Sequence, residues 1–309
     1  MARKSRPSKW QKIFSLQNSI IILVIAIISI STFFLIHNIE TYDYIVETNA
    51  FFAPFEYYED RKIIGVDIDI INRVAKKLDA KIEIKNVEFD LIIDNVASGI
   101  IADAGAAGLT ITPARAEKVN FSIPYYTSVQ YVIFRKDNAP ETREEHIVWE
   151  ALSGRTLGSQ MGGTGYLFMS DETENGVLKD TNTKIKGFDS HQLAADAINA
   201  HIIDYAIADE LAAQFIVDKN PNLDAMPLYY MGDATSEDYP VEESYAIAVN
   251  KQCPELLNTF NEVLTEMLQP NLDGKSEIDL LILKYMGFDN KESSTNEIIN
   301  EEEFYNATY

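Results

Sequence analysis

The sequence predicts an α/β protein of two lobes, preceded by an N-terminal transmembrane helix. Three observations carry this reading. Strand-like and helix-like segments alternate after residue 43, the alternation starts afresh near Arg155, and an uncharged run from Ile20 to Ile36 follows five bases. With 309 residues and 46% hydrophobic content, the chain is long enough to give each lobe its own core.

The N-terminal run, IIILVIAIISISTFFLI, would span about 25 Å as a helix, close to the hydrocarbon thickness of a bilayer. Arg3, Lys4, Arg6, Lys9 and Lys12 precede it. This arrangement keeps the N-terminus in the cytoplasm and exports the rest. A cleaved signal would be shorter and would end in small residues, but this run ends FFLIHNIETYDY. Residues 1–18 are therefore read as a cytoplasmic basic segment and 19–37 as a membrane anchor that stays. Five of the 26 bases lie before residue 40, so the remaining 21 face all 48 acids. A body with that excess of acid is repelled by phosphate, which excludes nucleic acid as a partner. Cys253 is the only cysteine, excluding an internal disulfide or a cysteine-rich metal site. Before Pro254 it reads as a small filler at a helix start.

The first lobe opens with Tyr44–Thr48 (YIVET), a short strand. The stretch DIDIINRVAKKL from Asp67 places Ile70, Ile71, Val74 and Leu78 on one helical face. KIEIK alternates as a strand, and LIIDNVASG reads as a short helix ending at Gly99. Residues 102–109 (ADAGAAGL) are small enough for a buried strand pressed against neighbouring backbone. This is β-α-β-α-β, the order of a sheet covered by helices. The second pass begins with a strand over 155–160, the glycine turn MGGTG and a helical start. A strand at 184–188 follows, then Ser190 as cap of QLAADAINA, and DYAIA as a strand delivering Asp209 ahead of another helix. SYAIAV reads as a later strand and PELLNTFNEVLTEML as a helix aligning Leu257, Phe260, Leu264 and Leu268. From about Gly287 the chain is acidic and polar, which reads as a mobile, disordered acidic tail over 288–309.

Several residues have chemistry to offer at the carboxyl ends of these strands, where open α/β sheets bind ligands. In GLTITPARAEKV, Thr112 and Pro113 mark an N-cap and first helical position, which puts Arg115 in the first turn. A cation there opposes the helix dipole and needs a reason. Gly162, Gly163, Thr164 and Gly165 can cradle an anion with backbone N–H groups, although a plain tight turn explains them as well. DETENG lacks the Glu that a calcium loop requires at its twelfth position. His37, His146, His191 and His201 have no metal-ligand spacing and read as surface residues. Phe52 and Phe89 fall in loops after strands, where they either line a pocket or pack the loop onto the core.

Taken in order, NAFFAPFEYYEDRKIIGVDIDI, EFDLIIDNVASG, AGLTITPARAEKVNFSIPYY, GSQMGGTG, FDSHQLAADAINAHIIDYAIAD and ESYAIAVNK resemble the polar amino-acid-binding family of extracytoplasmic solute-binding proteins, the receptors of ABC importers. The resemblance runs from about Tyr44 to Gly287. It implies a periplasmic-binding-protein-like fold, in which two α/β lobes joined by two crossing strands close on the ligand. On this chain lobe 1 would comprise 43–127 and 246–287 and lobe 2 would comprise 131–242. The resemblance also assigns roles. Arg115 would pair with the ligand α-carboxylate, which its planar fork suits. Gly108 and Thr110 would line the site, and the Thr164 N–H would meet the carboxylate, with Gln160 and Gly163 alongside. Asp209 would accept from the α-ammonium, while Phe52 and Phe89 would sandwich the side chain. Asn49 stands where relatives place an aspartate, so a neutral polar side chain fits better than a basic one unless Glu47 or Glu56 supplies the charge.

The function implied is capture of an L-amino acid outside the cytoplasmic membrane and delivery to an ABC permease, with no cofactor, no metal and no catalysis. A membrane-tethered sensor is the first alternative. An enzyme resembling cyclohexadienyl dehydratases is the second.

Overall fold

The computed structural model describes residues 41–233 and 235–287, together with Ile21, Leu23 and Val24, which are helical. The chain divides into two units, Met1–Tyr42 and Asp43–Tyr309. All labelled elements belong to the second. Apart from those three residues, the expected anchor lies outside the described residues, as does the acidic tail. Among the described residues no helix is long and apolar enough to cross a membrane.

In chain order the first half contains β1 (Tyr44–Thr48), β2 (Phe51–Phe52), β3 (Glu56–Glu59), β4 (Lys62–Ile64), α1 (Val66–Leu78), β5 (Ile82–Asn86), α2 (Phe89–Ser98) and β6 (Ala104–Gly105). It continues with α3 (Pro113–Lys118), β7 (Asn120–Phe121) and the long strand β8 (Tyr126–Arg135). The second pass has β9 (Ile147–Val148), β10 (Thr156–Gln160), α4 (Thr164–Glu174), β11 (Lys184–Phe188), α5 (His191–Asn199), β12 (Tyr205–Asp209) and α6 (Glu210–Lys219). It ends with β13 (Leu223–Tyr230), β14 (Tyr239–Pro240), β15 (Glu242–Tyr245), β16 (Ala248–Val249), α7 (Pro254–Met267) and α8 (Glu277–Tyr285).

Three sheets result: one large sheet in each lobe and a small hairpin sheet of β2, β3 and β4. The first has the order β5-β1-β6-β16-β7, and the second is built on β11-β10-β12-β8-β13-β14. Successive residues of a strand face opposite sides, so each large sheet feeds two cores. In β1, Val46 packs with Ile70, Ile71, Phe260 and Leu264 of α1 and α7, while Ile45 packs against the cluster of Ile92 and Val96 from α2. In β8, Val132 and Phe134 join Trp149 and Tyr205 on one face, and Ile133 joins Ala194, Ile198 and Ile216 on the other.

Strand β8 explains how the lobes connect. Its first four residues pair with β15, Tyr126 opposite Tyr245 and Val129 opposite Glu242, and its later residues pair with β12 and β13. The chain crosses out along β8 and returns along β15 and β16 into the first sheet.

The structure corrects the sequence reading at several points. Only Ala104–Gly105 of the expected strand over 102–109 is a strand, because Gly108 adopts φ 54° and turns the chain. SYAIAV is not one strand but two, since Ala246 leaves β8 to donate to Leu109 O between the sheets. Phe52 lies in a small hairpin sheet, not a loop, and Phe89 is the first residue of α2. His191 is buried, not a surface residue. Cys253 is the N-cap position of α7, as its place before Pro254 suggested.

Candidate functional site

The carboxyl ends of β1, β6, β10 and β12 face one cleft. From the first lobe comes the turn at Gly108. Its backbone lies in the left-handed region, and a Cβ there would sit 2.4 Å from the Phe52 ring, so only glycine fits. The next residues run beside the returning strand, with Ile111 N–H donating to Ser244 O and Thr110 bridging Tyr245. Thr112 then caps α3, its hydroxyl accepting from Arg115 N–H at 3.2 Å.

Arg115 therefore starts from a fixed backbone, and its side chain runs into the cleft, 8% exposed. One guanidinium N–H donates to Thr110 O at 2.8 Å, and another crosses to Gly162 O at 2.9 Å. The Phe89 ring lies below, 5.6 Å from its centroid to the guanidinium carbon. Burial lowers the Arg115 pKa, opposed by the negative fields of Glu243 and Asp209. The group nevertheless stays charged, as arginine does in proteins.

The second lobe brings Gln160 at the end of β10 and the turn Gly162-Gly163, with Thr164 as the first residue of α4. A Cβ on Gly162 would lie 2.7 Å from Asp90 Cβ, so the lobes approach here to within backbone distance. Gln160 Nε2 donates to Asn49 Oδ1 at 2.9 Å, and Asn49 Nδ2 donates to Val87 O. Asp209 ends β12 directly opposite Gln130 of β8. Its carboxylate accepts from Gln130 Nε2 and, at 2.6 Å, from the Tyr245 hydroxyl.

All ten residues singled out in the sequence thus gather at one place, the cleft wall or its immediate supports. Two others were not anticipated. Glu243 of β15 is buried, and one of its oxygens accepts from Thr110 Oγ1 and Thr164 Oγ1, each at 2.5 Å, one hydroxyl from each lobe. Its other oxygen accepts from Gln130 Nε2. Burial, then the neighbouring Asp209 charge, pushes the Glu243 carboxyl up to about 8. A signal existed, because in EESYAIAV the period of two puts Glu243 on the same face as buried Tyr245, and a charge on a core face needs a partner. His191 is the second, packed 5.5 Å from Phe52 between ring centroids. Burial depresses its pKa to about 4, leaving it neutral at physiological pH, and its Nδ1 has no hydrogen-bond partner among the described residues.

The cleft walls leave about 10 Å³, room for roughly one water. A larger cavity of about 360 Å³ lies on the far side of His191, lined by Phe51, Tyr57, Phe215 and Lys219. It contains none of the polar groups around Arg115. Among the described residues no cluster of His, Cys, Asp or Glu could hold a metal ion.

A family profile described as bacterial extracellular solute-binding proteins, family 3, matches residues 44–279. The arginine-binding extracellular protein ArtP of Bacillus subtilis (strain 168) is 29% identical over 225 residues, covering 72% of this chain and 80% of its own. The structure of an ancestral arginine-binding protein bound to arginine superposes with a TM-score of 0.65 at 30% identity, over 78% of this chain and 97% of that one. The structure of an ancestral arginine-binding protein bound to glutamine gives a TM-score of 0.64 at 30% identity, over 79% and 97%.

The Glu243 environment generates a prediction with a definite sign. A carboxyl whose folded value is raised stabilises the fold fully below the ordinary carboxylate range, near pH 4.3, and loses that stabilisation as pH rises through the folded value, about 8. Glu243→Gln cannot ionise. Urea unfolding across this interval should show a steeper loss of stability in the wild type than in the variant. Parallel curves would show that Glu243 does not carry the proton.

Proposed function

The chain belongs to the bacterial extracellular solute-binding proteins, family 3, and from this membership and the geometry of the cleft we propose that it captures an L-α-amino acid between its lobes and delivers it to an ABC permease. The observation that carries the reading is the Arg115 fork. It is buried between the two lobes and, among the described residues, its guanidinium is hydrogen-bonded to the carbonyls of Thr110 and Gly162 and to no carboxylate. A ligand carboxylate entering an opened cleft would replace neutral acceptors with an anion and gain a charge-assisted, bidentate pair. The start of α4 at Thr164 adds backbone donors on the same side. Asp209, oriented by Gln130 and Tyr245, would take the α-ammonium, and Phe52 and Phe89 would flank the side chain. The small enclosed volume supports a cycle in which ligand enters with the lobes apart and is trapped as they close.

Binding without turnover is part of the proposal. The matched relatives are named as binding proteins. Among the described residues of the cleft, the raised carboxyl of Glu243 resembles a general acid, but both its oxygens are already committed to Thr110, Thr164 and Gln130.

For the side chain, the proposal favours a neutral polar group such as that of glutamine. Asn49 carries no charge, and neither fallback carboxylate reaches it. Glu47 accepts from Asn95 Nδ2 at 3.1 and 3.0 Å, and Glu56 is fully buried beside Asp67. A buried guanidinium or ammonium at the Asn49 end would lack a counter-charge. The N-terminal run, as read from the sequence, would hold the binding domain at the outer face of the cytoplasmic membrane.

Three outcomes follow from these assignments. Arg115→Ala should fold normally yet lose about 2–5 kcal/mol of amino-acid affinity in calorimetry, because truncation leaves the ligand's charge unpaired; binding within threefold of wild type would remove Arg115 from the clamp. Competition among the twenty amino acids should place glutamine or another neutral polar ligand first. Arginine or lysine binding tenfold tighter than every neutral one, about 1.4 kcal/mol, would overturn the reading of Asn49. Finally, N-terminal sequencing of the membrane-bound protein should find the apolar run still attached, and a start after residue 36 would show instead that it is cleaved.

A further inference from the structure

Beneath the Gly108 turn lies a pair of acids that the ligand clamp does not use. Glu56 is 0% exposed, and no N–H or hydroxyl donor among the described residues reaches either of its carboxyl oxygens. Its neighbour is Asp67, also 0% exposed, whose charge acts on the Glu56 carboxyl. The backbone holds them together. Val66 N–H donates to Pro54 O and Asp67 N–H to Phe55 O, and Gly65 sits so close that a Cβ would lie 2.1 Å from Phe55 O.

Two carboxylates side by side in an interior cannot both be charged, so one of them carries a proton. The surroundings decide which. Burial raises the Asp67 carboxyl to about 6, but Asp67 has the donors that favour an anion. It lies in the first turn of α1, where the helix dipole favours negative charge. One of its oxygens accepts from the Tyr125 hydroxyl at 2.6 Å and the other from Gly108 N–H at 3.0 Å. Glu56 has no such donors and feels the charges of Asp67 and, from β12, of Asp209, so burial and these neighbours push its carboxyl well up. Among the described residues, Tyr125, from the segment before β8, is the remaining titratable group facing the pair, and burial beside Asp67 raises it too.

We propose that Glu56 is a positioning residue that bears a proton: its carboxyl donates to Asp67, and the Asp67 carboxylate, so held, fixes the Gly108 N–H and with it the turn that presents Thr110 to the cleft. The inference rests on the amino-acid reading only for what the turn presents, and the pair itself is testable without a ligand. Loss of the Glu56 proton sets two buried negative charges against one another and releases the turn.

Infrared difference spectra of the intact protein at neutral pH should contain a protonated-carboxyl C=O band that disappears in Glu56→Gln. NMR hydrogen exchange should show the protection of Gly108 N–H in the wild type falling roughly tenfold, equivalent to about 1.4 kcal/mol, as pH is raised into the alkaline range. Glu56→Gln keeps a donor toward Asp67 and cannot ionise, so its Gly108 protection should stay flat. A wild-type spectrum without the Glu56 band overturns the proposal whether or not the variant folds, and so do coincident protection profiles for the two proteins. Neither readout depends on amino-acid binding, so this inference and the proposed function can fail separately.

Discussion

A guanidinium removed from water has to be met by acceptors, and Arg115 obtains them only when both lobes contribute. Thr110 O belongs to the turn that precedes α3, and Gly162 O to the turn that precedes α4, on the other side of the cleft. Much of the surrounding structure follows from this one requirement. The Thr112 cap sets where the arginine leaves its helix, and the close approach of Gly162 to Asp90 brings the second carbonyl within reach. Phe89 closes the remaining side with the face of an aromatic ring, which attracts a cation without supplying a charge. Neutral partners satisfy the hydrogen bonds, and the negative fields of Glu243 and Asp209 act on the charge without a direct bond to it, which leaves the fork free to pair with an anion.

The negative groups obey a matching constraint. The chain is strongly acidic, yet the interior around the cleft avoids accumulating charge. Glu243 lies against Asp209, and Glu56 against Asp67; burial raises Glu243 to about 8 and Glu56 well above the ordinary carboxylate range, while donors from Tyr125 and Gly108 hold Asp67 lower, at about 6. The two pairs differ in what they hold. Glu243 ties together hydroxyls from opposite lobes and so belongs to closure, whereas Asp67 ties a backbone N–H to the floor of one lobe and so belongs to the shape of the site. His191 follows the same rule from the other side, staying neutral because its pocket offers too little negative field to pay for a buried charge.

Much of this was legible in the sequence because it is local. The Thr112-Pro113 cap, the helix face of Ile70, Ile71 and Val74, the Ser190 cap and the delivery of Asp209 at a strand end each depend on residues within a turn or two of one another. The misreadings have a common origin in context. Residues 102–109 have strand composition, but their pairing partner β16 is only two residues long and the chain must turn at Gly108 to reach the cleft. His191 reads as polar and scattered, and nothing near it in sequence announces that Phe52 will pack against it.

By itself the sequence determined the repeated α/β order, the caps, the excess of acid and the set of residues that converge at strand ends, because periodicity and capping are short-range properties of the chain. Tertiary structure alone decided what those residues touch. That Glu243 links Thr110 to Thr164, that Arg115 reaches Gly162, and that Glu56 needs a proton depend on contacts between residues 47 to 133 positions apart, or on burial on every side. Such contacts exist only once two crossing strands have brought separate sheets together, and the energy of a buried charge is set by everything around it, not by its neighbours along the chain.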